Sequence, residues 1–405
     1  MKYLHIAILL IACLLASCSK QPEPEPEPEP VGPARRTVLV YIVADNNLGS
    51  PSYQLDRLDI DEMQEAVNDG ALGKDGRLLI YHNRYGVARG NYPVLCELRQ
   101  NVKPDTLKRY PDDTTLYSVD PERMTEVVED MKKYAPADDY GIVLWSHGTG
   151  WMDETSGVVM APPRRTYGNE KHGNGKVYRM SITSLADALD NQGFSFIYFD
   201  CCHMMTVETV YQLRHSAKVI VGSPTELPGY GMNYITNIPM FFAEPDADLI
   251  GAAQATFEYY DAMTGALRTC AMSVVDTDKL DKLAEVSRTV YSTFTGYKGG
   301  VGNLQDYTRP QISCAGTIYD FASIVDDMEG VSDDLRSKWG TALSASIPYA
   351  QSTPWIFQGE SGGFRMKTYC GLGSYFITSM EEAEKYGYMN LDWWNDVVKY
   401  AYTDK

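Results

Sequence analysis

A histidine and a pair of cysteines stand at matching places in this sequence, each just after a short apolar run. Tyr140 to Trp145 leads into Ser146-His147-Gly148-Thr149-Gly150-Trp151, and Phe196 to Phe199 leads into Asp200-Cys201-Cys202-His203-Met204. A thiol at its ordinary pKa is only slightly ionised at neutral pH, and an imidazole within reach can take its proton or stabilise the anion. The same ring can then protonate a departing amine. Such a Cys-His dyad forms and hydrolyses an acyl-enzyme. Gly148 lets the backbone come close to a substrate carbonyl. Its N–H and that of Cys202 are candidate oxyanion donors, one of which is typically worth about 3 kcal/mol.

Taken singly, a histidine after a strand is more often a hydrogen-bonded structural residue, and a buried cysteine more often inert filler. Their joint placement, with Gly148 and Asp200 beside them, favours chemistry. Alternation along an extended segment points Cys201 and Cys202 to opposite sides, so only one can face His147, and the residues alone do not say which. Consecutive side chains do not converge on one ion, which argues against a metal site at Cys201, Cys202 and His203. His203 reads as a spectator, and His172, in a Gly-rich loop, as a weak candidate for any role.

The elements that must position these residues follow from local patterns. Thr37 to Ala44 is a β-branched, continuously apolar run ending in Asp45-Asn46-Asn47, the pattern of a strand buried on both faces. Leu55, Leu58, Met63 and Val67 recur at helical spacing, and Arg77 to His82 makes a second strand. Asp120-Pro121 opens a helix to about Tyr134, with a capping carboxylate, proline at the first helical position and a stripe of Met124, Val127, Val128 and Met131. Tyr140 to Trp145, Phe196 to Phe199 and Lys218 to Val221 are further strands, with a helix around Ser184 to Leu189. Strands alternating with helices predict an α/β fold with a mainly parallel sheet covered on both faces, whose site lies beyond the carboxyl ends of the strands. After it come a helix near Ala247 to Tyr260, a strand at Ala271 to Val275 and a helix from about Asp278 to Tyr291.

Three ordered segments carry a family resemblance: Leu144 to Trp151, Asp200 to Met204 with Glu208 downstream, and Glu226-Leu227-Pro228-Gly229-Tyr230-Gly231. With the later Gly371 to Phe376, they resemble the clostripain family of cysteine peptidases. The resemblance implies the caspase-like fold, a three-layer sandwich, and a peptide or protein substrate. It also implies that the nucleophile lies two residues after the aspartate of an Asp-x-Cys pattern, which selects Cys202. Position 203 is usually apolar in that pattern, so His203 departs from it. Relatives commonly cleave after Arg or Lys through acidic groups near the primary specificity pocket. Asp200 matches one such group, and Glu226 is the nearest candidate for a second, or a structural partner for a turn. Members are often activated by cutting between the His and Cys motifs, and here Arg164, Arg165 and Lys171 lie in that interval. Calcium dependence is known in the family, yet no Asp-rich loop of metal-binding spacing stands out, and the chemistry itself requires no cofactor.

The ends and composition bound the remaining questions. Met1-Lys2-Tyr3, an apolar run from Ile6 to Leu15 and then Leu15-Ala16-Ser17-Cys18 read as a lipoprotein signal, too short to span a membrane. Residues 1–17 are thus expected to be a signal peptide, with Cys18 acylated. Residues 18–34, which carry the Pro-Glu repeat from Gln21 to Pro30, then form an extended tether. A catalytic core over 35–245 and a carboxyl-terminal extension over 246–405 packed on it follow, and the protein is expected outside the cytoplasm as an outer-membrane lipoprotein. A formal net charge of -18 argues against a nucleic-acid partner. Cys96, Cys270, Cys314 and Cys370 leave room for one or two disulfides that sequence does not assign. The alternatives to a peptidase are a non-catalytic surface lipoprotein that binds peptide or glycan on the same fold, and a transpeptidase or amidase using the same dyad.

Overall fold

The run Ala34–Val43 (β1) shows why a central strand needs no polar face. Val38, Val40 and Ile42 pack into one hydrophobic cluster, and Leu39, Tyr41 and Val43 into another on the opposite side. Period-2 alternation with both faces apolar requires a layer of helices above and another below. The structure, a computed structural model, describes residues 33–86, 90–111, 116–151, 167–171, 176–309 and 318–402, which belong to one compact unit.

Five strands form the parallel centre: β1, β2 (Gly76–Asn83), β5 (Ala137–Trp145), β8 (Phe194–Asp200) and β9 (Ala217–Gly222). In space they run β9-β8-β5-β1-β2, every neighbouring pair parallel. Antiparallel strands flank them. On the β2 side these are β3 (Val94–Leu98) and β4 (Asp105–Arg109), and on the β9 side β10 (Ala271–Asp276) and the strand Tyr349–Ser352. The carboxyl-terminal segment, expected to pack on the core, thus supplies two strands of its sheet.

One face is covered by α1 (Leu55–Asn68), α5 (Tyr234–Phe241) and α6 (Leu249–Asp261), the other by α2 (Pro121–Tyr134), α3 (Ile182–Leu189), α4 (Val207–Gln212) and α7 (Leu280–Thr293). Two local expectations are corrected. Asp120 opens α2 with Pro121 behind it, but its carboxylate accepts from the Tyr117 N–H at 2.7 Å and does not cap the helix. On α1, Leu58 is 50% exposed, while Asp56 and Asp59 are buried. Their buried partners explain the inversion: His82 Nε2 lies 2.7 Å from Asp56, and the Trp145 indole donates to Asp59 at 2.6 Å.

Cys96, Cys270 and Cys370 are free thiols, so none is bridged to another; Cys314 lies outside the described residues. Cys96 Sγ points to the Ile80 carbonyl and Cys370 Sγ to that of Leu372, each occupied within its own packing. No helix among the described residues is long and apolar enough to cross a membrane.

Candidate active site

Strand parity aims the two candidate groups. In β5, Val143 and Trp145 face the cluster under α1, α5 and α6, and His147 continues that parity past the strand end. In β8, Phe196 and Tyr198 face the same side, and Asp200 and Cys202 continue their parity. Cys201 falls on the other face, where its thiol donates to the Leu144 carbonyl at 3.0 Å inside the opposite cluster. His147 and Cys202 therefore emerge from adjacent strands on one side. They line one cavity of about 190 Å³ with Leu48, Asp200, Glu226 and Leu227.

Both groups are neutral as they stand. The Cys202 thiol donates to the Leu227 carbonyl at 3.7 Å and accepts from the Leu227 N–H at 3.4 Å. Burial, then the Glu226 charge, pushes the thiol up to about 12. Burial lowers His147 to about 4, aided by the cationic Arg179 and Lys171. A thiol and a neutral imidazole have the protonation states that general-base catalysis requires. His147 Nε2 lies 2.8 Å from Asn47 Oδ1.

Gly148 explains how the two strand exits approach so closely. A Cβ there would stand 2.6 Å from the Cys202 carbonyl oxygen and 2.7 Å from Cys201 Cβ. His203 sits in the left-handed region with φ of 60°. It is buried and braces the turn, its Nδ1 on the Pro224 carbonyl at 3.1 Å and its N–H on that of Thr225 at 3.0 Å. The departure at this position thus ties the loop after β8 to the loop after β9.

Asp200 lines the cavity beneath Gly231, where a side chain would meet its carboxylate at 2.6 Å. It accepts from the Tyr234 hydroxyl at 3.0 Å and the Met232 N–H at 3.2 Å. Burial pushes this carboxyl up to about 7, against those hydrogen bonds, and the Glu62 charge adds to the shift. Asp59 is likewise held well above the carboxylate range, by burial and then by the charge of Asp200. Glu62 accepts from the Tyr234 N–H at 2.9 Å. Glu226 also lines the cavity, but one of its oxygens takes Arg309 Nη1 at 3.3 Å. Arg309 in turn holds Glu360 and the Ser361 carbonyl, and lies over the Phe357 ring at 4.2 Å. Its charge is compensated, whereas the two donors on Asp200 are neutral.

Asn47, Leu227, Asp59, Glu62 and Arg309 were not foreseen as part of this site. The polar exit Asp45-Asn46-Asn47, at the same sheet edge as His147, was the available signal for the first. The others required the tertiary fold. Lys171 ends β6 (Tyr167–Lys171), which pairs with β7 (Val177–Met180); Arg164, Arg165, His172 and Cys18 lie outside the described residues. Among the described residues, no group of three or more His, Cys, Asp or Glu side chains is placed to hold a metal ion.

A sequence profile of the clostripain family matches residues 40–401. No curated protein sequence matches the chain. An X-ray structure of an inactive zymogen C11 protease from Parabacteroides distasonis superposes with a TM-score of 0.74 at 26% identity, covering 91% of this chain and 99% of that one. A secreted C11 cysteine protease from Bacteroides thetaiotaomicron, in complex with an irreversible peptide inhibitor, gives 0.74 and 26% over 90% of this chain and 99% of its own. A further secreted C11 cysteine protease from that organism, iotapain, shares the fold with a TM-score of 0.76 at 22% identity, over 92% of this chain and 100% of that one. The sandwich described above is thus the caspase-like fold. With its family match running from within β1 almost to the last described residue, the chain belongs to the clostripain family and is a cysteine peptidase.

Proposed function

We propose that this peptidase cleaves peptide bonds through an acyl-enzyme on Cys202, with His147 carrying the protons. The observation that supports it most is the convergence of the two side chains on one cavity from one side of adjacent parallel strands. The Cys202 proton passes to the imidazole as sulfur attacks the carbonyl carbon, and the carbonyl π pair moves to oxygen. Collapse breaks the C–N bond, and the imidazolium proton leaves with the amine. Water then gives a proton to His147 as its oxygen attacks the thioester carbon, and collapse expels the Cys202 sulfur, which takes that proton back from the imidazolium as the acid is released. The N–H groups of Gly148 and Cys202 are the proposed donors to the oxyanion. For attack to occur, the substrate carbonyl replaces the Leu227 backbone as the neighbour of the sulfur.

Preference for Arg or Lys before the scissile bond belongs to the same proposal. Asp200 is its receptor, and Glu62 adds negative potential behind it, whereas Asp59, held well above the carboxylate range by burial, stays uncharged. Glu226, held by Arg309, shapes the wall and contributes less charge. Activation by cutting at Arg164, Arg165 or Lys171 fits a relative that is an inactive zymogen, and the secreted relatives fit placement outside the cytoplasm on a Cys18 lipid anchor.

A fluorogenic peptide panel carrying Arg, Lys or neutral residues before the scissile bond, run on wild type and Cys202→Ala, tests the mechanism. Hydrolysis in wild type only, strongest after Arg or Lys, is expected; activity that survives the substitution rejects the nucleophile. Gels of the two proteins test processing, with identical intact bands rejecting self-cleavage.

A further inference from the structure

We infer that Asn47 is the residue that orients the proton-transfer imidazole: its side-chain carbonyl receives the Nε2–H of His147, leaving Nδ1 as the nitrogen that takes the proton of Cys202. The inference deepens the proposed dyad and rests on it.

The geometry behind it begins with topology. Going outward from β1, the chain next builds β2 on one side and β5, β8 and β9 on the other, so the order reverses between β1 and β5. In a doubly wound sheet that reversal opens the crevice at the carboxyl edge. Ile42 pairs with Trp145 across the two strands; Asn47 follows five residues after the first and His147 two after the second. Their side chains meet at 2.8 Å over this crevice.

The turn carrying Asn47 is built to hold still. Asn46 Oδ1 accepts from the Leu48 N–H at 2.8 Å, while Asn46 Nδ2 donates to the carbonyls of Val43 at 2.9 Å and Asn169 at 2.8 Å. The Lys171 N–H donates to the Asp45 carbonyl at 2.8 Å, and the Ser50 N–H to that of Asn47 at 3.2 Å. On the histidine side, Ser146 Oγ donates to the Val43 carbonyl at 2.8 Å, which ties the two strand exits together. Both partners of the Asn47–His147 contact therefore start from fixed backbone, the condition under which one hydrogen bond can set a ring's orientation.

The chemistry assigns the direction. An amide oxygen only accepts, so the ring donates through Nε2, and the lone pair sits on Nδ1. A neutral acceptor does this without the electrostatic pull of a carboxylate, so the ring stays unprotonated and ready to act as a base. The charges that bear on the ring are Arg179 of β7 and Lys171 of β6, both cationic; Cys202, Asp200 and Glu226 share its cavity. Asn47 itself is exposed at the rim. A peptide in the cavity covers that rim and removes the water that competes for the bond, so the contact tightens with substrate bound.

Full-length wild type, Asn47→Ala and Asn47→Asp are compared on the Arg and Lys fluorogenic peptides, with pH–rate profiles and thermal melts. Asn47→Ala is expected to lower kcat about 10- to 100-fold with KM within about twofold, the pattern of a misoriented base. Asn47→Asp, which can only accept, is expected to recover at least part of kcat and to raise the acid limb of the kcat/KM profile by about one pH unit or more, because its charge favours the imidazolium. A purely structural asparagine would not move that limb. An unchanged kcat in Asn47→Ala overturns the inference, as does an Asn47→Asp enzyme that is folded, no better than Asn47→Ala, and unshifted in pH. If Asn47→Ala melts early, the Asp variant alone carries the test. His147→Ala and Cys202→Ala are run alongside: retained activity in these refutes the dyad itself, whereas their inactivity with a normal Asn47→Ala refutes only the role of Asn47.

Discussion

At Cys201 the thiol donates to the Leu144 carbonyl in the packed face of the sheet, whereas at Cys202, one residue on, it reaches the cavity and the Leu227 backbone. The two substitutions should therefore separate cleanly. Cys201→Ala should cost about 1–3 kcal/mol of stability through the lost contact, with kcat/KM largely kept. Cys202→Ala should abolish hydrolysis with an unchanged melt, and the reverse pattern would exchange their roles. Protonation behaviour belongs to this scale as well. With Cys202 near 12 and His147 near 4, the resting pair is uncharged across the neutral range. Alkylation of Cys202 by iodoacetamide, followed by mass spectrometry of its peptide, should be slow at pH 7 and climb steadily toward pH 10. A plateau above pH 5 would instead reveal a preformed ion pair. Asp200 titrates near 7, so its charge is present above that pH and lost below it. The ratio of kcat/KM for Arg over a neutral residue should accordingly rise through pH 7 and flatten in Asp200→Asn. Because the folded pKa exceeds the unfolded one, ionising Asp200 disfavours the fold between about pH 4 and 7. Asp200→Asn should therefore gain thermal stability relative to wild type as pH rises through that window.

The elements matter through what their ends bring together. Strands β5 and β8 meet at Gly148, where an added methyl would drive into the Cys202 carbonyl and Cys201 Cβ. Gly148→Ala should lower kcat/KM by about 100-fold, since a displacement near 1 Å at a reacting centre costs about that much. A variant with wild-type kinetics would show that the strand exits can part without consequence. The loop after β9 is held from two sides, by His203 on Pro224 and Thr225 and by Arg309 on Glu226. Arg309→Ala removes its hydrogen bonds to Glu226, Glu360 and Ser361 and its stacking on Phe357. A loss of about 1–3 kcal/mol is expected in chemical denaturation, with looser Arg selectivity. Helix α1 shows how buried polar partners distort a periodic pattern: Asp56 meets His82 and Asp59 meets the Trp145 indole on the sheet side, while Leu58 turns to solvent.

For the molecule as a whole, the proposed tether and the catalytic unit are expected to be separable. A chain beginning at residue 33 should match the full-length enzyme in kcat/KM on soluble peptides, while Cys18→Ser should move the cellular protein out of the detergent phase. A truncated enzyme that loses activity would tie the amino-terminal segment to the catalytic unit. The parallel centre of the sheet and two strand exits of the site were legible because buried strands are written as unbroken apolar runs, and because a histidine and a cysteine just beyond them stand out. Helix α2 was legible to its last residue from Asp120-Pro121 and its stripe. In the sequence, family resemblance alone selects Cys202 over Cys201; the fold adds that the parity of β8 turns the two thiols toward different hydrophobic clusters. Strands β3 and β4, the partnership of Asn47 with His147, and that of Arg309 with Glu226 join residues 83 or more apart in the latter two cases and pair edges without a strong local pattern in the first. Local sequence determines which segments are strands and which residue types lie at their ends, since both follow from nearest-neighbour sterics and hydrophobic period. Which loops meet over the crevice, and which charges end up compensated there, depends on strand order, a property that exists only once the sheet has assembled.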